Sequence, residues 1–138
     1  MYLIDTSVWI SYLRNQDTPA TAYFSNILEN KISFGLTELI YQEILQGASS
    51  LKDFKNLEDY LKVQEFYSPV GLDTYKKAAE LYFSCRKKGK TIRSTIDCLI
   101  AEIAIEHDLI LVHDDKDYLS ISEVHSKLKL YNHRHSSH

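Results

Sequence analysis

Leu109-Ile110-Leu111-Val112 is apolar at every position, and no other stretch limits the fold of this chain so sharply. A strand with one wet face alternates apolar and polar residues, whereas an unbroken apolar run must be covered on both faces, as parallel strands are. Parallel neighbours need long crossover connections, usually helical. The remaining sequence supplies both parts. Tyr2 to Asp5, Ile32-Ser33-Phe34, Tyr67 to Val70 and Leu128 to Tyr131 read as further short strands.

Between these runs lie segments of helical spacing. Thr6 to Arg14 places Val8, Trp9, Tyr12 and Leu13 on one side, and Pro19 to Glu29 opens on a proline where its missing N–H costs nothing. Thr37 can cap a helix carrying Leu39, Ile40, Ile44 and Leu45 that ends near Gly47. Ser50 to Phe66 is amphipathic, Asp73 to Lys88 is a helix stopped by Gly89, and a short helix follows Lys116. Ser94 to His107 is the most patterned, with Ile96, Leu99, Ile100, Ile103 and Ala104 on one side. Strands alternating with helices, without repeat or linker, predict a doubly wound α/β fold with a central, mostly parallel sheet covered on both faces. The 138 residues suit a single domain over 1–131, with 132–138 a polar, frayed tail.

Composition narrows the class. A content of 44% hydrophobic and 25% charged residues is that of an ordinary globular protein, and no apolar run approaches the roughly 20 residues of a membrane span. Met1 leads directly into Tyr2-Leu3-Ile4 and then a charge, unlike a signal peptide, so a cytoplasmic location without membrane attachment is expected. Cys85 and Cys98 lack metal-type spacing, and the second sits among isoleucines and a leucine as a buried free thiol would. A net charge of −3 does not announce a nucleic-acid binder, although a local basic patch counts for more than the total.

In such sheets, ligands bind beyond the carboxyl ends of the strands, where the strand order reverses. Asp5 closes the first strand, Asp115 follows the strand ending at Val112, Asp97 lies in the first turn of a helix and Glu43 midway along another. Gathered on one rim, they would repel: two unit charges ~4 Å apart cost about 4 kcal/mol at an effective dielectric near 20. A divalent cation would neutralise them, and oxygen-only ligands favour Mg²⁺ or Mn²⁺ over zinc. Each acid also has a plainer role. Asp5 can cap the first helix, Ser94 to Asp97 fits a capping box, Glu43 can flank a buried stripe, and Asp114, Asp115 and Asp117 can form a polar turn.

Taken in order, the motifs resemble the PIN-domain family, and within it the VapC toxins of bacterial toxin–antitoxin pairs. Leu3 to Ile10 is similar to the family's opening strand and helix, with Asp5 as first metal ligand. Thr37 to Gly47 resembles its second motif, with Glu43 in the place of the Glu. Asp97-Cys98-Leu99-Ile100-Ala101 carries the third acid, and His113 to Tyr118 resembles the closing motif. Asp115 fits the fourth acid, with Asp117 a second candidate. His113 departs from the usual Thr or Ser.

The resemblance implies a PIN-like three-layer α/β/α fold and a metal-dependent endoribonuclease, the toxin of such a pair, cleaving cellular RNA such as tRNA. Asp5, Glu43, Asp97 and Asp115 would be catalytic as direct or water-mediated metal ligands, Asp117 a further ligand, and Mg²⁺ the cofactor with Mn²⁺ an alternative. Thr6 or Ser7 would hold a metal-bound water, and His113 would hydrogen-bond a carboxylate or phosphate or else serve packing. The basic run Arg86, Lys87, Lys88, Lys90 and Arg93 would contact RNA, or form a solvated helix end. A homodimer and a cognate antitoxin are the implied partners, the antitoxin's tail lying across the acidic groove beside Ser50 to Phe66 and the preceding helix. The alternatives are a catalytically idle PIN-like RNA- or protein-binding module and a metal-dependent phosphohydrolase. Haloacid-dehalogenase-like chemistry needs a second Asp two residues after Asp5, where Ser7 stands.

Overall fold

In the computed structural model, which describes residues 1–132, the apolar runs become strands β1 (Tyr2–Ile4), β2 (Phe34–Leu36), β3 (Glu65–Phe66), β4 (Ile110–Val112) and β5 (Lys129–Leu130). They form one sheet in the order β3-β2-β1-β4-β5, with all pairings parallel. Helices α1 (Thr6–Leu13), α2 (Pro19–Glu29), α3 (Glu38–Gln46) and α4 (Leu51–Leu61) join the first three strands. Helices α5 (Leu72–Lys87) and α6 (Thr95–Glu106) cross from β3 to β4, and α7 (Lys116–Val124) joins β4 to β5. The chain leaves β1 toward β2 but leaves β4 toward β5, so strand order reverses between β1 and β4. That pair of strand ends is where a doubly wound sheet opens a crevice.

Local chemistry sets the ends of several elements. Thr18 and Thr21 close a capping box at the start of α2, and Thr37 Oγ1 accepts from the Ile40 N–H at 3.2 Å to start α3. Gly89, at φ +75°, takes the left-handed turn that ends α5. The core is continuous through β1, β4 and their helices. Leu3, Ile4, Trp9, Leu111, Val112 and Ala101 are at most 1% exposed, and Trp9 packs edge-on to Phe24 at 4.9 Å. Cys85 and Cys98 are buried free thiols. Among the described residues, no helix is long and apolar enough to cross a membrane.

Two expected strands lie elsewhere. The second begins at Phe34 rather than Ile32, a slip of two residues that keeps the same side chains on the same face. The strand expected over Tyr67 to Val70 is Glu65–Phe66 instead, and the helix expected to run through Phe66 stops at Leu61. Tyr67 keeps one sheet bond, from its N–H to the Leu36 carbonyl at 2.9 Å. Gly35 permits this close approach, because a Cβ there would overlap the Glu65 carbonyl and the Tyr67 ring. Of the expected 132–138 tail, residues 133–138 lie outside the described part of the chain.

Candidate metal centre

Four acids meet beyond the carboxyl ends of β1 and β4. Asp97, Asp115 and Asp117 each offer an oxygen within 4.8 Å of the others. Asp5 joins them through Tyr118, whose hydroxyl donates to Asp5 Oδ1 at 2.9 Å and lies 3.4 Å from Asp97 Oδ1. Each acid stands at an element end. Asp5 follows β1 and caps α1, Asp97 is in the first turn of α6, and Asp115 caps α7 with Asp117 in its first turn. For Asp5 the capping role and the site role coexist, since its Oδ2 accepts from Ser7 Oγ at 2.9 Å and more distantly from the Ser7 N–H at 3.4 Å. The capping box expected at Ser94 to Asp97 does not form. Ser94 Oγ accepts from Ile96, two residues on, leaving the Asp97 carboxylate directed at Tyr118.

Both Asp115 and Asp117 belong to the cluster, so the two candidates for fourth acid sit side by side. Glu43 lies one step outward: its Oε1 accepts from Thr6 Oγ1 at 2.6 Å, and Thr6 directly follows Asp5. Ser7 braces Asp5 as described. His113, 7% exposed, accepts at Nδ1 from the Asp115 N–H at 3.2 Å. Its ring packs against Tyr118 at 5.2 Å and Tyr131 at 5.8 Å. Packing and bracing of the Asp115 turn are therefore its roles in this structure.

Crowding leaves an electrostatic mark. The Asp97 carboxyl is pushed up to about 7, first by burial and then by the charges of Asp115, Asp5 and Asp117. Burial also raises Asp5, against the hydrogen bonds of Ser7 and Tyr118. The same burial lowers the His113 imidazole, opposed by the neighbouring carboxylates.

The basic run divides. Arg93 closes onto the acids: its N–H donates to Asp117 Oδ2 at 3.1 Å, and its guanidinium reaches Asp115 at 3.1 Å and Asp117 at 3.5 Å. Lys90 pairs with Glu123 at 2.6 Å. Arg86 lies over the Tyr82 and Phe83 rings at 6.0 and 5.7 Å, while Lys87 and Lys88 are exposed where α5 ends. Two features are not visible in the sequence alone: the Tyr118 hydroxyl as a link between acids, and the engagement of Arg93 with them. The Asp-Tyr pair at 117–118 is the available signal for the first.

A family model described as PIN domain matches residues 2–124. A VapC ribonuclease of Mycobacterium bovis and ribonuclease VapC11 of Mycobacterium tuberculosis are each 34% identical to the chain over 125 residues, 90% of this chain and 93% of the relative. The fold is similar to that in VapBC2 from Rickettsia felis bound to a promoter DNA fragment (TM-score 0.72, 20% identity, 95% of this chain and 97% of that one). It is also similar to that in VapBC-1 from nontypeable Haemophilus influenzae (TM-score 0.71, 20% identity, 96% and 98%). With the model match running from β1 through α7, and relatives of this identity along nine-tenths of its length, the chain belongs to the PIN-domain family.

Proposed function

We infer that this protein is a divalent-metal-dependent endoribonuclease, the toxin member of a toxin–antitoxin pair. The observation that carries the reading is the convergence of Asp97, Asp115 and Asp117 at the strand-order reversal, with Asp5 tied in through Tyr118. The 34%-identical relatives, named as ribonucleases, support the substrate class. The solved neighbours VapBC2 and VapBC-1, and a toxin–antitoxin complex from Klebsiella pneumoniae, agree in fold.

The donor set fits a hard cation. Every candidate ligand is a carboxylate oxygen, and Asp115, Asp5 and Asp117 crowd the half-buried Asp97. Asp5, Glu43, Asp97, Asp115 and Asp117 would hold Mg²⁺ or Mn²⁺, directly or through water. A cation bound there would lower the pKa of a water and stabilise charge building on the scissile phosphate. The chain's own residues do the positioning. Ser7 and Tyr118 orient Asp5, Thr6 orients Glu43, and His113 fixes the turn that presents Asp115. Arg93, with a side chain 71% exposed, can turn from the acids to an RNA phosphate. Arg86, Lys87 and Lys88 extend that charge along the end of α5, with Lys90 held beside them.

A cognate antitoxin and a second copy of the chain are the proposed protein partners. For the antitoxin, the groove lined by Ile10, Leu13, Ile44 and Leu57 together with Arg14 and Asp53, between α1, α3 and α4, offers a largely apolar seat. Expression of the protein alone should arrest bacterial growth, and Asp97→Asn, verified as folded, should restore it. Growth arrest that persists in a folded variant without nuclease activity would point to a mechanism other than RNA cleavage.

A further inference from the structure

We propose that Tyr118 is a positioning residue of the metal site, its single hydroxyl holding Asp5 in place beside Asp97. This rests on the metal-centre reading above and deepens it. Asp5 ends β1, Asp97 begins α6 and Tyr118 belongs to α7, so the three elements that build the site meet at one oxygen atom. The ring is fully buried and lies at 60° to the His113 imidazole, which itself holds the Asp115 N–H. Phenylalanine would meet the packing need equally well. A buried phenol costs free energy unless its O–H is satisfied, and here both acceptors within reach are site carboxylates.

A phenol has one hydrogen to give. It goes to Asp5 at 2.9 Å, while Asp97 stands at 3.4 Å from the same oxygen. Asp5 is therefore held at both oxygens, Oδ1 by Tyr118 and Oδ2 by Ser7, and cannot rotate away from the crevice. Partners of this kind, which touch the ligands rather than the metal, typically alter metal affinity by about 10–100-fold when removed. Tyr118 orients Asp5 and takes no part in bond breaking.

The test is Mn²⁺ binding by the purified full chain without RNA, read from the free-ion signal in electron paramagnetic resonance, beside the melting temperature in EDTA. Tyr118→Phe should weaken binding by tenfold or more while keeping the fold. Replacing Tyr118 with 4-aminophenylalanine, which restores a donor, should recover most of the loss. Tyr2→Phe removes a hydroxyl bonded to Tyr23 at 2.9 Å, away from the acids, and should leave affinity unchanged. If Tyr118→Phe binds within twofold of wild type, the positioning role is overturned while the metal centre stands. If wild type itself binds no Mn²⁺, both fall. Should Tyr118→Phe fail to fold, the aminophenylalanine variant decides: near-wild-type binding supports the role, and a tenfold loss overturns it.

Discussion

Helix α6 begins in one group of carboxylates, around Asp97, and ends in another, formed by Glu102 and Glu106. Both groups press a carboxyl up to about 7, and in both burial is the largest cause. Their surroundings differ. Glu102 is 4% exposed and its chief neighbour is one other acid, Glu106, whose Oε1 accepts from Thr74 Oγ1 at 2.6 Å and whose buried Oε2 lacks a hydrogen-bond partner. Lys77 opposes the push on Glu102 from the rim, while Asp73, to which Lys77 is paired at 3.2 Å, adds to it. A proton on Glu102 relieves the repulsion between them. The strand-end group gathers more acids, with Asp97 and Asp115 half-buried and Arg93 exposed beside them. Acids buried between helices can be neutralised by a proton, whereas acids at an open crevice can take up a cation from solution.

The largest effect that could break this comparison is on cleavage. Asp97→Asn should lower the single-turnover rate by more than about a hundredfold, beyond the usual loss from removing an outer partner of a metal ligand. Glu102→Gln should leave it within about threefold, the comparison failing if the two variants lose activity alike.

Metal should next distinguish the groups by stability. Mg²⁺ at a hundred times its Kd adds about 2.7 kcal/mol, a rise of several degrees in Tm. Asp5→Asn should melt higher than wild type in EDTA and gain less from Mg²⁺, while Glu102→Gln should gain as much as wild type. An unchanged wild-type Tm at millimolar Mg²⁺ would remove the distinction.

The dependence on pH sharpens the other half. Glu102 has a folded pKa of about 7 against an ordinary 4.5. Its contribution is thus fully present below the ordinary value and is lost as pH rises through about 7. Glu102→Gln imitates the protonated form. It should be more stable than wild type at pH 8, with the advantage vanishing toward pH 4. An advantage constant with pH, measured by denaturant melts, would mean that Glu102 takes up no proton in this range.

The acids at 5, 97, 115 and 117 were legible because each stands at an element end that periodicity and capping chemistry mark, and their order in the chain matched a known set of motifs. Glu43 was legible as a candidate metal ligand through the second motif, but only the fold shows it leaning on Thr6. Tyr118 was hidden by its chemistry: in a sequence with ten Tyr, an aromatic on the buried side of a helix reads as packing. Arg93 was hidden by its neighbours, since a basic run suggests one shared role, yet the chain turns after Gly89 and folds this residue back onto Asp115 and Asp117. The strand at 65–66 is too short to show periodicity and follows the helix after only a brief turn.

The smallest effect concerns the approach of RNA to the crevice. Alanine at Lys87 and Lys88 should weaken RNA binding and flatten its log–log salt dependence. The slope should fall by roughly 0.7 for each single-strand phosphate that is no longer neutralised, with cleavage at saturating RNA largely kept. An unchanged slope would place the docking surface elsewhere.

Cleavage of a labelled RNA pool by purified protein across a Mg²⁺ titration, with EDTA and Asp97→Asn as controls, tests the metal centre most directly. Cutting should be absent in EDTA, rise saturably with Mg²⁺ or Mn²⁺, and be lost in the variant. Cutting that persists in EDTA, or survives Asp97→Asn, would contradict a metal-dependent nuclease built on these acids.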